Sequence, residues 1–450
     1  MTRNNSLLDT VVEIVDCAKP GESIEAYAVK ERETEIRAYE NEVESLTSAT
    51  VQGIGIRVVN KGRQGFSYAV SLDDGTLQNT LQEARDNCRF ASVDEFAGVA
   101  TPDGVEPVSL DLYRADLQTY TTEKKVELAL ELEKAALSAD PRIKNIETAD
   151  YYDTICSNAV ATSSGVAAES QETNCFLVVQ SLAEDKNDTQ SGLGYSVARH
   201  PDDLSVLEAA SDAAERATRL LGAKQLPSGR VSIVLDPHVA ARFVGIIGAT
   251  LNGESVLKGR SLFTDKLNTL IAAPLITLTD DATNPLAYSA SPIDAEGLAT
   301  RRIPLIVDGV LCSFLYDSYT ARRAGMDGTG SAVRAGFMGM PSVGAHALQL
   351  LPGKRSQAEM IADITDGLLV QNVVGLHSGI NLVSGDFSIG AQGIRIRNGA
   401  LAEPVREVTI ASTLQRLLLN VIEVGSDLKW LPMNAAGMSL AIDDVVMSGT

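Results

Sequence analysis

The chain is poor in the residues that most often do chemistry or staple a fold. Its five cysteines, Cys17, Cys88, Cys156, Cys175 and Cys312, are odd in number, scattered, and form no CxxC pair. Neither a zinc knuckle nor a disulfide framework fits that pattern, and reduced thiols in a cytoplasmic protein are the expectation. Histidine is scarcer: His200, His238, His346 and His377 are the four, and none stands at the short spacing of a local metal motif. Long apolar runs are missing too, and nothing approaches the ~20 residues that span a bilayer. The first apolar stretch, Leu7 to Val15, is broken by Asp9 and Glu13, so it predicts an amphipathic helix rather than a secretory leader. Basic charge is short: 38 Lys and Arg stand against 59 Asp and Glu, giving a net charge of −21. The densest basic groups are the pairs Arg301-Arg302 and Arg322-Arg323. A phosphate backbone is repelled by such a field, which argues against nucleic acid as a partner.

What is present describes a globular α+β chain. At 450 residues, 44% hydrophobic and 22% charged, it is too long for one ordinary core and too apolar for extended disorder. Three segments are expected. The first, residues 1–100, opens with the amphipathic helix. Ile54, Ile56 and Val58, then Phe66, Tyr68 and Val70, alternate on either side of Asn60-Lys61-Gly62, which reads as an antiparallel hairpin. A helix from about Leu77 to Phe90 and a linker from Ala97 to Pro107 follow.

The second segment, 101–228, carries helices over Thr122 to Ser138 and Asp203 to Leu221, with strands between Ile143 and Val197. The third, 229–450, starts with a buried strand, Val231 to Leu235. Asp308-Gly309 and Asn398-Gly399 lie between apolar runs as type I′ hairpin signals, and short helices are expected over Ser356 to Thr365 and Ser412 to Val421. The fold class is therefore α+β: N-terminal and central α/β segments followed by a large, mainly antiparallel, β-rich C-terminal domain.

Local chemistry is thin. Gly-x-Ser-x-Gly is absent, and its near misses at Ser67, Ser196 and Ser439 end in Ala and have no evident histidine partner. Gly325-Met-Asp-Gly-Thr-Gly-Ser331 could offer backbone amides to an anion but lacks the Lys of a phosphate loop; a surface loop is the plainer reading. Asp280-Asp281 and Asp443-Asp444 could bind a divalent cation, or simply end strands. Lys258-Gly-Arg260 could clamp a carboxylate or a partner's acidic surface, or make a structural loop contact.

The stretch from Phe243 to Phe263 resembles the metal-binding segment of the TldD/PmbA protease family, whose catalytic members carry His-Glu-x-x-x-His. Aligned on Gly253 through Phe263, the His, Glu and His positions hold Val244, Gly245 and Ala249, which offer neither a metal ligand nor a general base. Asp280-Asp-Ala-Thr283, Val383 to Gly390 with Gly393 and Asn398-Gly399, and Val424-Gly-Ser-Asp-Leu428 extend the likeness over essentially the whole chain. The family's third zinc ligand, a cysteine near the C-terminus, has no counterpart in Lys429 to Thr450.

The resemblance implies a PmbA/TldE-type subunit with no catalytic residue and no cofactor of its own. It would pair with a zinc-bearing TldD-type protease subunit, or with itself as a homodimer, and handle unfolded or extended peptides. Its glycines make Val383 to Gly393 a candidate groove element, so the candidate substrate or partner contacts are Lys258, Arg260, Ser384, Gly385, Asp386, Gly390 and Gly393. The alternative is a stand-alone peptide-binding or regulatory protein. The family's older description as a modulator of DNA gyrase does not suit direct DNA contact by so acidic a chain.

Overall fold

The computed structural model describes residues 6–186 and 188–450. Its first half is one antiparallel sheet. Helix α1 (Leu7–Val15) leads into β1 (Glu22–Tyr39), β2 (Glu42–Asn60), β3 (Arg63–Ala69) and α2 (Asp74–Phe90). After an irregular connection come α3 (Thr122–Ala139), β4 (Ile143–Thr162), β5 (Ala167–Asp185), β6 (Asp188–Ala198) and α4 (Val206–Arg219). The strands lie in the order β3-β2-β1-β4-β5-β6, so the first two segments share a sheet joined where β1 pairs with β4.

The hairpin expected around Lys61-Gly62 is β2–β3: Asn60 faces Arg63, and both turn residues have positive φ (50° and 71°), as a type I′ turn requires. All four helices cover one face of the sheet. Val11, Ile14, Leu77 and Leu81 pack on Ile24, Ala26, Ile54 and Ile56, while Leu132, Ala136, Ala210 and Ala214 pack on Ile36, Tyr151, Leu177 and Val179.

The second half packs on the sheet's other face. It runs through β7 (Gly229–Leu235), α5 (Pro237–Thr250), α6 (Gly253–Leu257), β8 (Leu278–Asp281), β9 (Arg302–Val307), β10 (Val310–Leu311), α7 (Ser318–Ala324), β11 (Ala332–Val333), β12 (Ser342–Val343) and β13 (Leu348–Leu350). Then follow α8 (Gln357–Ala362), β14 (Asp366–Val374), α9 (Leu376–Gly379), β15 (Asp386–Arg397), β16 (Ala400–Thr413), α10 (Leu414–Leu419), β17 (Val421–Val424) and β18 (Leu440–Ser448).

The large sheet is ordered β16-β15-β14-β7-β18-β17, and a further β16–β18 pairing closes it into a barrel-like ring. Its pairings are antiparallel except β7 with β14. Both Asn-Gly and Asp-Gly signals are hairpin turns, with Asp308 and Asn398 at φ 48°. Inside the ring, Val231, Ile233, Val370, Phe387, Ile410 and Ile442 meet Phe243 of α5.

Four buried ionic groups fasten the two halves. Glu25 of β1 accepts from Arg57 of β2 and from Arg334 of the C-terminal half, and Glu296 lies 3.5 Å from Arg57 while accepting from the Ser318 amide at 2.8 Å. Arg334 also stacks over the Tyr27 ring at 4.8 Å.

Candidate functional site

Helix α5 begins where β7 ends. Asp236 caps it, accepting from the His238 amide at 3.0 Å, and Pro237 occupies the first turn, where its missing N–H costs nothing. The helix is buried on most sides; Arg242, Gly245, Ile246 and Ala249 form its more open stripe. Val244 is 2% exposed and points into the apolar core among Ile276, Leu278, Ile306 and Leu417. A side chain at Gly245 would meet nothing within 4 Å, and Ala249 is exposed. Five helical residues turn the direction by about 140°, so Val244 and Ala249 lie on different faces. Among the described residues, no three His, Cys, Asp or Glu side chains come together in a way that could hold a metal ion.

Asn252 ends this region and caps α6, accepting from the Glu254 and Ser255 amides and donating to the Val343 carbonyl at 2.6 Å. Lys258 pairs with Glu254 one turn back at 2.6 Å, whereas the Arg260 side chain is exposed. Ser261 donates to the Thr250 carbonyl at 2.5 Å, folding the segment back so that Phe263 enters the core.

The second group of candidate contacts lies on β15 and the turn before it. Ser384 and Asp386 are exposed and joined by a 2.7 Å hydrogen bond; Gly385 (φ 83°) is buried, and a Cβ there would strike Gln415. Gly390 packs beneath Val374. Gly393 lies at an irregularity in the β14–β15 ladder, where a Cβ would come within 1.8 Å of the Leu369 carbonyl oxygen. From Gly390 onward β15 is paired on both sides, to β14 and β16, so that part of its backbone has no free edge for an added strand, whereas Asp386–Ile389 pair with β16 alone apart from a bridge between Ile380 and Phe387. These two glycines answer to close packing within the sheet. Among the described residues, no hydrogen bond or ion pair joins the Lys258–Arg260 turn to the Ser384–Gly393 stretch.

Other sequence candidates resolve locally. Asp280 is buried and accepts from the His346 and Ala347 amides, Asp281 accepts from Thr283, and Asp444 pairs with Arg230 at 2.6 Å. The Gly325–Ser331 loop starts at the left-handed cap of α7 and lines, with Arg322, a cleft of about 380 Å³.

One polar cluster brings His238, the histidine just ahead of the Val244 segment, together with residues from two other stretches of the chain, a meeting that no local spacing announces. His238, 7% exposed, has Nε2 at 3.4 Å from Asp212 Oδ2. Asp212 also meets Arg216 at 2.7 Å and Lys429 at 3.2 Å, and Arg216 reaches Asp236 at 2.9 Å. Beside them, Gln180, Ser191, Arg242 and Gln371 line a cleft of about 200 Å³ between the two halves. Burial pushes the His238 imidazole down to about 3; Arg216 adds to the shift and Asp212 opposes it. The ring is neutral, and its surroundings are already occupied by matched charges.

The two-part architecture and the α5 segment point to one class of protein, the metallopeptidases of the PmbA/TldA type. Models of their domain 1, central domain and C-terminal domain match residues 24–88, 115–221 and 228–449. The chain belongs to the PmbA/TldD family. It is 28% identical over 391 residues to the metalloprotease PmbA of Escherichia coli O157:H7, covering 86% of this chain and 84% of that one. It is 24% identical over 432 residues to a metalloprotease TldD homolog of Haemophilus influenzae, covering 89% and 87%.

Among solved structures, a candidate modulator of a DNA gyrase from Thermotoga maritima superposes with a TM-score of 0.90 at 25% identity, covering 98% of this chain and all of that one. TldE from Thermococcus kodakarensis, at 22% identity, shares the fold with a TM-score of 0.86 over 98% and 99%. The metal that the class name implies does not fit Val244, Gly245 and Ala249: one is a core hydrocarbon and none has a nitrogen, oxygen or sulfur donor on its side chain.

Proposed function

We propose that this chain is the metal-free subunit of a two-subunit metallopeptidase acting on unfolded or extended peptides, with the zinc carried by a TldD-type partner. The observation that carries the reading is α5, where the three positions aligned with the catalytic pattern, Val244, Gly245 and Ala249, carry no side-chain metal donor and Val244 is buried in the core. Peptide hydrolysis on zinc needs an activated water and a substrate held in line with it. A subunit without the metal contributes the second requirement: it helps to enclose the extended chain and to hold it in place. The exposed turn Leu382–Ser384 with Asp386, and Arg260 after α6, are the accessible contacts for that role. Gly385, Gly390 and Gly393 shape the strand behind them.

The test mixes this chain with the TldD-type subunit from the same source and follows cleavage of an unfolded peptide. The reading expects co-elution and degradation that depends on both chains. A catalytic subunit that is fully active alone and unaffected by this chain would overturn it.

A further inference from the structure

The polar clefts of the molecule differ in charge. The cleft of about 380 Å³ carries Asp103 and Asp327, that of about 270 Å³ carries Asp94, Glu254 and Asp317, and that of about 420 Å³ carries Asp111 and Asp203. The cleft of about 200 Å³ between the two halves is lined by Arg216 and Arg242 and by no carboxylate. In a chain of net charge −21 that lining stands apart. Strands β5 and β6 form one wall through Gln180, Ser191 and Leu193, and α5 and β14 form the other through His238, Arg242 and Gln371.

Three groups of this second wall have no hydrogen-bond partner in the protein. Arg216 is matched by Asp212 and Asp236, but half-buried Arg242 makes no ion pair and no hydrogen bond among the described residues. Gln371 is 7% exposed, and its Oε1 accepts from nothing. It is the extra residue where the β14–β15 ladder passes from Val370 to Asn372, and such an irregularity re-aims a side chain. His238 is equally buried; its Nε2 stands 3.4 Å from Asp212 but out of line for a hydrogen bond. A free cation and two idle buried polar groups converging on one cleft are the marks of a small-molecule site.

We propose that this cleft binds a carboxylate with an amide N–H on the neighbouring carbon, the chemistry of an N-acylated amino acid or of the last residue of a peptide. One unmatched guanidinium balances one negative charge, and its planar fork takes both oxygens of a carboxylate. Phosphate as a dianion would bring a second charge that the lining does not balance. Gln371 Oε1 accepts from the ligand's N–H. That donor is neutral, because the lining offers no carboxylate to an ammonium group. The His238 ring is left to give or take one further hydrogen bond. A volume of about 200 Å³ equals roughly seven waters at ~30 Å³ each, which suits one acylated residue.

The site needs neither a partner subunit nor cleavage, so binding by the isolated chain is separate from the two-subunit reading. Its test is titration calorimetry of the full chain with N-acetyl-L-alanine and with tri-L-alanine. Saturable binding of one molecule per chain is expected. Binding of both places the ligand at a peptide's end, and binding of the first alone places it among small acylated acids. Amidating the carboxylate, or supplying acetate without the N–H, should weaken binding tenfold or more. Arg242→Gln, which removes no contact of the folded chain, should leave the circular dichroism unchanged and weaken N-acetyl-L-alanine about tenfold. Gln371→Leu should weaken N-acetyl-L-alanine but not acetate; should that variant fail to fold, the same distinction is read from the two ligands on the wild type. No binding of either acid, equal binding of acid and amide, preference for inorganic phosphate, or an Arg242→Gln variant that binds as wild type would overturn the proposal.

Discussion

Glu25 is buried between two guanidinium groups, Arg57 and Arg334, and joins the two halves of the molecule. Burial alone would raise its pKa, but Arg334 and Arg57 outweigh that and hold it below the ordinary carboxylate value. Glu25→Gln leaves both cations without that carboxylate. The expected loss is about 3–5 kcal/mol of unfolding free energy, read from urea denaturation, and a loss below about 1 kcal/mol would contradict the assignment.

His238 gives a pH-dependent prediction. Its folded-state pKa is about 3, while the unfolded imidazole titrates near 6.5. On acidification the unfolded chain takes the proton and the folded chain does not, so this contribution is present above about pH 6.5 and is lost as the pH falls toward 3. Between pH 7.5 and 5, wild type should lose more stability than His238→Asn; equal losses would remove His238 from the account.

At this scale, only what rests on a single side chain was legible in the sequence. That Val244, Gly245 and Ala249 lack metal donors follows from their identity. The clusters around Glu25 and His238 were invisible, because Glu25, Arg57, Glu296 and Arg334 carry no local spacing that announces their meeting.

Among the elements, turns were the most legible. Lys61-Gly62, Asp308-Gly309 and Asn398-Gly399 all adopt the positive φ values that their composition implies, and each joins paired strands. β1 was missed. Its outer half, Lys-Glu-Arg-Glu-Thr-Glu-Ile-Arg, puts charge on both faces, so the alternation that marks a half-buried strand does not show.

Glycines separate two roles at the element scale. Gly245, on the open side of α5, has free space for a Cβ. Gly245→Ala should therefore stabilise the helix by about 0.5–1 kcal/mol through backbone entropy. Gly393→Ala drives a methyl into the Leu369 carbonyl and should cost about 1–3 kcal/mol or more. Thermal unfolding of the two variants checks both signs, and a destabilised Gly245→Ala would mean that the α5 stripe is covered by something in the folded protein.

At the scale of the molecule, the fold class was foreseen: helices and strands mixed in the first two segments, then a mainly antiparallel C-terminal domain. The sharing of one sheet by the first two segments was not foreseen. It depends on the long-range pairing of β1 with β4, which no local pattern encodes. Nor could the glycines of β15 tell which part of the strand is enclosed, since only the topology places β14 beside it from Gly390 onward and β16 along its other edge. No described helix is long and apolar enough to cross a membrane.

On the proposed reading this chain keeps the scaffold of a metallopeptidase and leaves the metal to its partner, and among the described residues no three His, Cys, Asp or Glu side chains gather to hold one. The most direct test is the zinc-to-protein ratio of the purified chain, measured with its hydrolysis of an unfolded peptide in the absence of any other subunit. A ratio near zero and no cleavage are expected. Stoichiometric zinc with cleavage that is lost in His238→Ala would contradict that reading and place a working metal centre among His238, Asp212 and Asp236.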